Sequence, residues 1–225
     1  DIIQIHNLHG YYLNLEMLFN YLKDSDVPIV WTLHDCWSFT GHCTHFDYVG
    51  CNKWITECSN CPQKREYPSS LLLDNSKINF LKKKEIFSSI KKLTLVTPSN
   101  WLSDLVKRSF LSDHSLKVIN NGINISVFRP LEINNVREKY GFSSKKIILG
   151  VASTWSDRKG LSFFELLSKT LPDNAQIVLV GLSKNQLKKI SSKIKGIEKT
   201  ENVDELVALY SIADVFVNPT LEDNF

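Results

Sequence analysis

Asp1-Ile-Ile-Gln-Ile-His6 and Pro28-Ile-Val-Trp-Thr-Leu33, with the amphipathic stretch 13–24 between them, decide how this chain folds. β-Branched and aromatic residues crowd the two short runs, as strands require, and apolar residues recur at helical spacing between them. Strand, helix, strand makes a βαβ unit, whose crossover lays the strands parallel with their C-terminal ends at one edge. His6 and the pair His34-Asp35 then share the edge at which open α/β sheets bind ligands.

The alternation continues outward. Residues 36–75 break it with Cys, Gly, Trp and Pro and read as a long ordered loop or a small inserted subdomain. A Lys-rich helix over 75–90 and a strand over 93–97 follow. Pro98-Ser99-Asn100 marks the start of a helix running to about residue 110, with Ser99 or Asn100 as its cap. A short strand at 117–119 closes on Asn120-Asn121-Gly122, and residues 127–138, which contain Pro130, read as the crossing between two domains. A second alternation fills the rest, with strands at 146–152, 176–180 and 214–218 and helices at 160–171, 184–191 and 204–211. The expectation is an α/β protein of two domains, 1–130 with a Cys-rich loop at 36–75, and 131–225.

Composition agrees. With 225 residues, 43% hydrophobic and 23% charged, the chain can bury a core and is not a disordered sequence. Twenty-seven Lys and Arg against 24 Asp and Glu leave a net charge of +3, too small for nucleic-acid binding through bulk charge. No stretch approaches the roughly 18 apolar residues of a membrane helix. Five cysteines, four of them crowded into 43–61, argue against a disulfide framework and for a reducing compartment. Asp1 already opens a strand, no leader precedes it, and no helix follows the strand near Phe225, so both ends read as cut.

Six motifs then stand in one order: Asp1-Ile-Ile-Gln-Ile-His6, Thr32-Leu-His-Asp35, Thr97-Pro-Ser-Asn100, Asn121-Gly-Ile-Asn124 with Phe128, Arg158-Lys-Gly160, and Tyr210-Ser-Ile-Ala-Asp214 running to Pro219. In that order the chain resembles the family 4 glycosyltransferases. The resemblance implies two Rossmann-like domains of GT-B type facing across a cleft, each incomplete here, and a nucleotide-sugar donor held mainly by the second. It implies transfer, with retention at the anomeric carbon, to a saccharide or lipid-linked acceptor in polysaccharide or cell-envelope glycan assembly, with no cofactor required for the chemistry. Measured against the family, the chain is a fragment. It lacks the first strand with its glycine-rich loop and the helix bearing the second Glu of Glu-x7-Glu, and by itself is expected to be inactive or unstable.

Arg158, Lys159 and Gly160 follow a strand and open a helix, so cations, backbone N–H groups and the helix dipole converge on one anion site. The bland alternative is a solvated Arg-Lys pair. Thr154 stands where the family places an arginine, five positions before Lys159, and Arg158 is read as its substitute. Glu222 and Asp223 follow a strand end and are candidates to accept hydrogen bonds from sugar or ribose hydroxyls; by spacing from Asn218-Pro219-Thr220, Asp223 matches the first Glu of the family motif. His34 matches a family histidine beside the reacting sugar, and the alternative is a satisfied structural histidine. His6, Asn7, His9 and Asp35 are acceptor-side candidates.

Cys43, Cys51, Cys58 and Cys61 form the sharpest local cluster, with spare ligands in His42 and His45. A structural zinc fits the Cys-x2-Cys pair plus two nearby thiols; free buried thiols, a disulfide or an iron-sulfur site are the alternatives. Cys36 is assigned to packing. Lys77, Lys82, Lys83, Lys84, Lys91 and Lys92 read as a solvated face, or as a peripheral contact with anionic headgroups at the inner face of a membrane, the protein being cytoplasmic. Trp31, Trp37, Trp54 and Trp101 are read as core packing or sugar stacking. Two rival functions remain: a non-catalytic, zinc-clipped interaction module on the same scaffold, and a sugar-nucleotide epimerase.

Overall fold

A computed structural model describes residues 1–70, 72–132, 134–142 and 144–223. The expected second domain therefore ends, at 224 and 225, outside the described residues. The chain divides into two compact units, 1–121 with the chain end from Asp223, and 122–222. The division falls ahead of the expected boundary at residue 130. Leu131 N–H donates to Ser211 Oγ at 3.2 Å, and Phe128, Arg129 and Pro130 line an apolar hollow with Leu206, Val207 and Tyr210, so the crossing segment packs with the second unit.

The first unit is a parallel sheet of β1 (Ile3–Ile5), β2 (Ile29–Thr32), β3 (Leu93–Thr97) and β4 (Ser115–Val118), in sequential order. Ile5 pairs with Trp31, Trp31 with Leu95 and Leu95 with Leu116. Three helices cross between these strands: α1 (Leu15–Asp24), α2 (Ser76–Ser88) and α3 (Asn100–Lys107). Asn14 caps α1 through Met17 N–H, and Ser99 caps α3 through Leu102 N–H, as its sequence predicts. The core is aromatic. Phe19 of α1 lies 4.4 Å from Phe87 of α2, whose ring meets Trp31 of β2 edge-on at 4.9 Å. Trp31 and Trp54 are each 2% exposed and Trp37 is buried, which makes these three indoles core residues.

The loop after β2 has little regular structure, only short 3-10 turns at Trp37–Phe39 and Lys53–Ile55. It is nonetheless packed. Its Phe39, Phe46 and Trp54 join the same hydrophobic core as the sheet, with Phe46 and Trp54 stacked at 4.8 Å. Lys83 departs from the expected solvated face. Its ammonium is buried, donates to the carbonyls of Trp37 and Thr40 at 2.7 and 3.0 Å, and lies 3.4 Å from the centre of the Trp37 ring. Burial holds its pKa well below the usual lysine range, with Cys43, Asp35 and Cys58 acting in the opposite sense.

The second unit is a parallel sheet in the order β7-β6-β5-β8, from β5 (Lys146–Val151), β6 (Ala175–Val180), β7 (Ile194–Ile197) and β8 (Val215–Phe216). β7 is absent from the sequence expectation, because Lys195 and Gly196 interrupt its apolar run. The helices are α4 (Asn134–Lys139), α5 (Leu161–Thr170), α6 (Lys184–Leu187) and α7 (Val203–Ile212). Strand alternation gives the sheet two apolar faces: Ile147, Leu149, Val178 and Val180 pack with Leu209 and Ile212 of α7, and Ile177 and Leu179 pack with Phe164 of α5. Asp214 ties the strand starts together by accepting from Ile147 N–H, Lys146 and Arg137, which lowers its pKa to about 2.

Two stability tests follow from this packing. Gly181 adopts φ +98°, and a Cβ there would stand 1.7 Å from the Ala152 carbonyl oxygen, so backbone rather than a side chain must yield. Gly181→Ala is expected to cost about 2 kcal/mol or more in urea unfolding, and an unchanged midpoint would refute the reading. Burial, first among its causes, lowers the pKa of His34, His42 and His114 in the first unit. Neutral forms are thus favoured in the fold, so stability is intact above the ordinary histidine pKa and falls as pH drops from there toward the lowered folded values. The urea midpoint should be lower at about pH 5.5 than at about pH 7.5.

Candidate active site

The parallel register of β1 and β2 sets His6 and His34 side by side just past the strand ends. Trp31 Nε1–H donates to the His6 carbonyl at 2.9 Å and fixes the backbone there. The two imidazoles stack with centres 5.2 Å apart, and His6 Nδ1 and His34 Nε2 share a hydrogen bond of 2.9 Å. His34 is half-buried, its pKa lowered by burial and then by His6, with Asp35 acting in the opposite sense. It is therefore a neutral hydrogen-bonding group near neutral pH, open to one side rather than sealed in the core.

His9 and Asp35 form a second, tighter pair. Asp35 Oδ2 accepts from His9 Nε2 at 2.8 Å, while Asp35 Oδ1 accepts from Trp37 N–H at 2.8 Å. With Nε2 donating, Nδ1 of His9 is the atom that accepts from the Tyr67 hydroxyl at 3.1 Å. Tyr67, from the far end of the long loop, is a site residue that the sequence reading missed. His6, Asn7, His9, His34 and Asp35 line one narrow hollow with Trp31, so all five first-unit candidates are brought together.

In the second unit, β5 has β6 on one side and β8 on the other. The strand order therefore reverses at β5, with β6 and β7 following on one side and β8 placed on the other, and the C-terminal end of β5 is the switch point at which open parallel sheets bind ligands. Residues 152–160 leave that point and lead to α5. Gly160 is the N-cap of α5 with φ +79°, and a Cβ there would stand 2.5 Å from the Pro219 carbonyl oxygen. Glycine thus permits both the left-handed turn and the close approach of the chain after β8. Lys159 stands beside it, half-buried, its N–H bonded to Ser156 Oγ at 3.3 Å.

Arg158 has a local task. Its guanidinium donates to the Glu222 carbonyl at 3.0 Å and its own carbonyl accepts from Leu221 N–H at 2.8 Å, which clamps the 156–160 turn to the chain after β8. Glu222 is 5% exposed, in place of the open carboxylate expected, and Asp223 is exposed. Arg158, Lys159, Gly160 and Glu222 are thus brought together.

The four loop cysteines also converge. Cys43, Cys51, Cys58 and Cys61 line a single hollow with Phe46, Trp54 and Pro62, and Cys43 and Cys61 hydrogen-bond through their sulfurs. That bond lowers the pKa of Cys61 to about 7, while the same contact and burial raise that of Cys43. Among the described residues, no group of three or more His, Cys, Asp or Glu side chains could hold a metal ion as placed. Cys36 is fully buried in the core.

No protein-family model matches the chain. Over 148 residues, 62% of this chain, it is 32% identical to an Escherichia coli (strain K12) protein named "Putative colanic acid biosynthesis glycosyl transferase WcaC", of which the match covers 36%. The whole chain superposes on 51% of sucrose-phosphate synthase from Thermosynechococcus elongatus, with a TM-score of 0.66 at 14% identity. It also superposes on 53% of an E. coli structure titled as trehalose-6-phosphate bound with UDP-2-fluoro glucose, with a TM-score of 0.59 at 14% identity. The chain thus spans about half the length of these solved structures and little more than a third of the curated relative. The two Rossmann-like α/β units have the GT-B type of fold, and the glycosyltransferase resemblance read in the sequence agrees with the curated relative it matches over 148 residues.

Proposed function

We propose that the whole protein is a glycosyltransferase that moves a sugar from a nucleotide-sugar donor to a saccharide or lipid-linked acceptor in polysaccharide or cell-envelope glycan assembly. The observation that carries this reading is the position of Lys159 and Gly160 at the switch point of a parallel sheet, opening α5. As the bond from sugar to diphosphate breaks, negative charge gathers on the departing phosphate oxygens. A fixed ammonium and a helix N-terminus stabilise that charge most in the transition state. The similarity to a protein named for colanic acid biosynthesis supports the polysaccharide context, and the UDP-2-fluoro glucose in one structural neighbour's title supports the donor class.

In this reading Arg158 positions the turn rather than meeting the diphosphate first. Exposed Asp223 is better placed than buried Glu222 to accept from donor hydroxyls. His34, kept neutral and bonded to His6, orients the reacting sugar or the acceptor, while Asn7 and the His9–Asp35–Tyr67 network shape the acceptor side. The transfer step asks for no cofactor. A cytoplasmic location, with the Lys-rich α2 touching anionic headgroups, suits a lipid-linked acceptor; no helix among the described residues is long and apolar enough to cross a membrane.

In the full-length protein, Lys159→Ala should lower kcat/KM for the donor by about 30- to 1000-fold, the equivalent of roughly 2 to 4 kcal/mol. Arg158→Ala should lose less activity and also loosen the fold around residues 219–222. His34→Ala should reduce kcat and leave nucleotide affinity nearly unchanged. Wild-type kinetics in Lys159→Ala would remove the diphosphate assignment. Absence of turnover with every UDP-, GDP- and ADP-sugar would favour the non-catalytic module.

A further inference from the structure

We propose that Cys43, Cys51, Cys58 and Cys61 bind one zinc ion as a four-thiolate clip that holds the loop between β2 and α2 in shape. The four sulfurs come from three separate segments of a loop that has only two short 3-10 turns, and they line one hollow walled by Phe46, Trp54 and Pro62. All four are free thiols. A loop with so few backbone ladders gains most from a cross-link between its segments, and zinc supplies one without an oxidant.

Backbone donors face two of the sulfurs. Gly41 N–H points at Cys58 Sγ at 3.2 Å, and the Gln63 backbone hydrogen-bonds to the Cys61 sulfur. Asn60 adopts φ +45° between Cys58 and Cys61, a left-handed residue that folds the Cys-x2-Cys segment back on itself. Lys53 Nζ grips that turn through the carbonyls of Ser59 and Asn60 at 2.8 and 3.0 Å. Four thiolates on Zn²⁺ carry a net charge of 2−. Lys53 at the rim and the buried ammonium of Lys83, which interacts electrostatically with Cys43 and Cys58, offset that charge. Buried Lys83 thereby gains the counter-charge that neutral thiols would not give it.

Binding exchanges thiol protons for metal. The hydrogen bond between Cys43 and Cys61 is replaced by two Zn–S bonds of about 2.3 Å, the displaced protons pass to solvent, and no electron is transferred. Cys43 and Cys61 are already in sulfur contact, and metal binding draws Cys51 and Cys58, which line the same hollow, in to complete the set.

The test uses the full chain purified under reducing conditions without added metal, so it reads metal content and is independent of transferase activity. Elemental analysis should give about one zinc per chain, released when a mercurial titrates the thiols. Cobalt reconstitution should give the thiolate charge-transfer and d–d absorption of a tetrahedral site. Cys58→Ser and Cys61→Ser should each reduce bound zinc at least about tenfold, while Cys36→Ala, outside the hollow, should retain it. Folded wild-type protein with no bound metal and freely titrating thiols would overturn the proposal whatever the variants do. So would a Cys43–Cys61 disulfide found by mass spectrometry, or iron with sulfide in place of zinc.

Discussion

A strand that enters a parallel sheet cannot return by a hairpin, and that constraint arranges both units. Every crossover must run back over the sheet face, so the residues that follow each strand collect at one edge. In the first unit this places His6 after β1 next to His34 after β2, close enough for a 2.9 Å hydrogen bond across 28 residues of sequence. In the second, with β6 and β8 on opposite sides of β5, it leaves the 152–160 turn where the strand order reverses.

What the sheet cannot position is the long loop after β2, and here burial acts in place of backbone ladders. Phe39, Phe46 and Trp54 enter the same core as Phe19 and Trp31, so the loop costs the fold little exposed apolar surface. The polar groups carried inside with it must be satisfied, and Lys83 does this for the carbonyls of Trp37 and Thr40. The same ordering delivers Tyr67 to His9 and thereby steadies Asp35. The loop that looks like an insertion is thus a wall of the site.

The sheets, most helices and the clustering of His6, His9, His34 and Asp35 were legible because strand length, β-branching and 3.6-residue spacing are local signals. β7 was not, since Lys195 and Gly196 weaken its apolar run and its strand character comes from pairing with β6. α4 lay within a segment read as a crossing, because a six-residue helix with few apolar residues has almost no periodicity to detect. Lys83 was counted on a solvated face for a comparable reason. Consecutive lysines at 82, 83 and 84 look alike in sequence, yet a helix turns by about 100° per residue, so the three point in different directions and Lys83 is the one that faces inward. The convergence of four cysteines was visible from spacing; the amide and lysine groups around them belong to the tertiary fold alone.

Arg158 and Lys159 show how adjacent like charges take different work. Both follow the same strand, and the simplest electrostatic reading sends both to an anion. The guanidinium has five donors in a fixed fork and can hold a backbone carbonyl while keeping others to spare, whereas an ammonium is a compact charge best used at short range. The fold uses them accordingly: Arg158 binds the Glu222 carbonyl and joins the turn to the chain after β8, and Lys159 stands at the entry to α5 beside Gly160, which packs against Pro219. Between position 154, where the family pattern has an arginine, and the helix entry stands Trp155 in the sequence, its buried indole N–H bonded to the Val180 carbonyl. Thr154 is exposed and too short to reach far. In the proposed reading, the positive charge offered to a diphosphate in this unit is concentrated at the helix entry, where the α5 dipole adds to it.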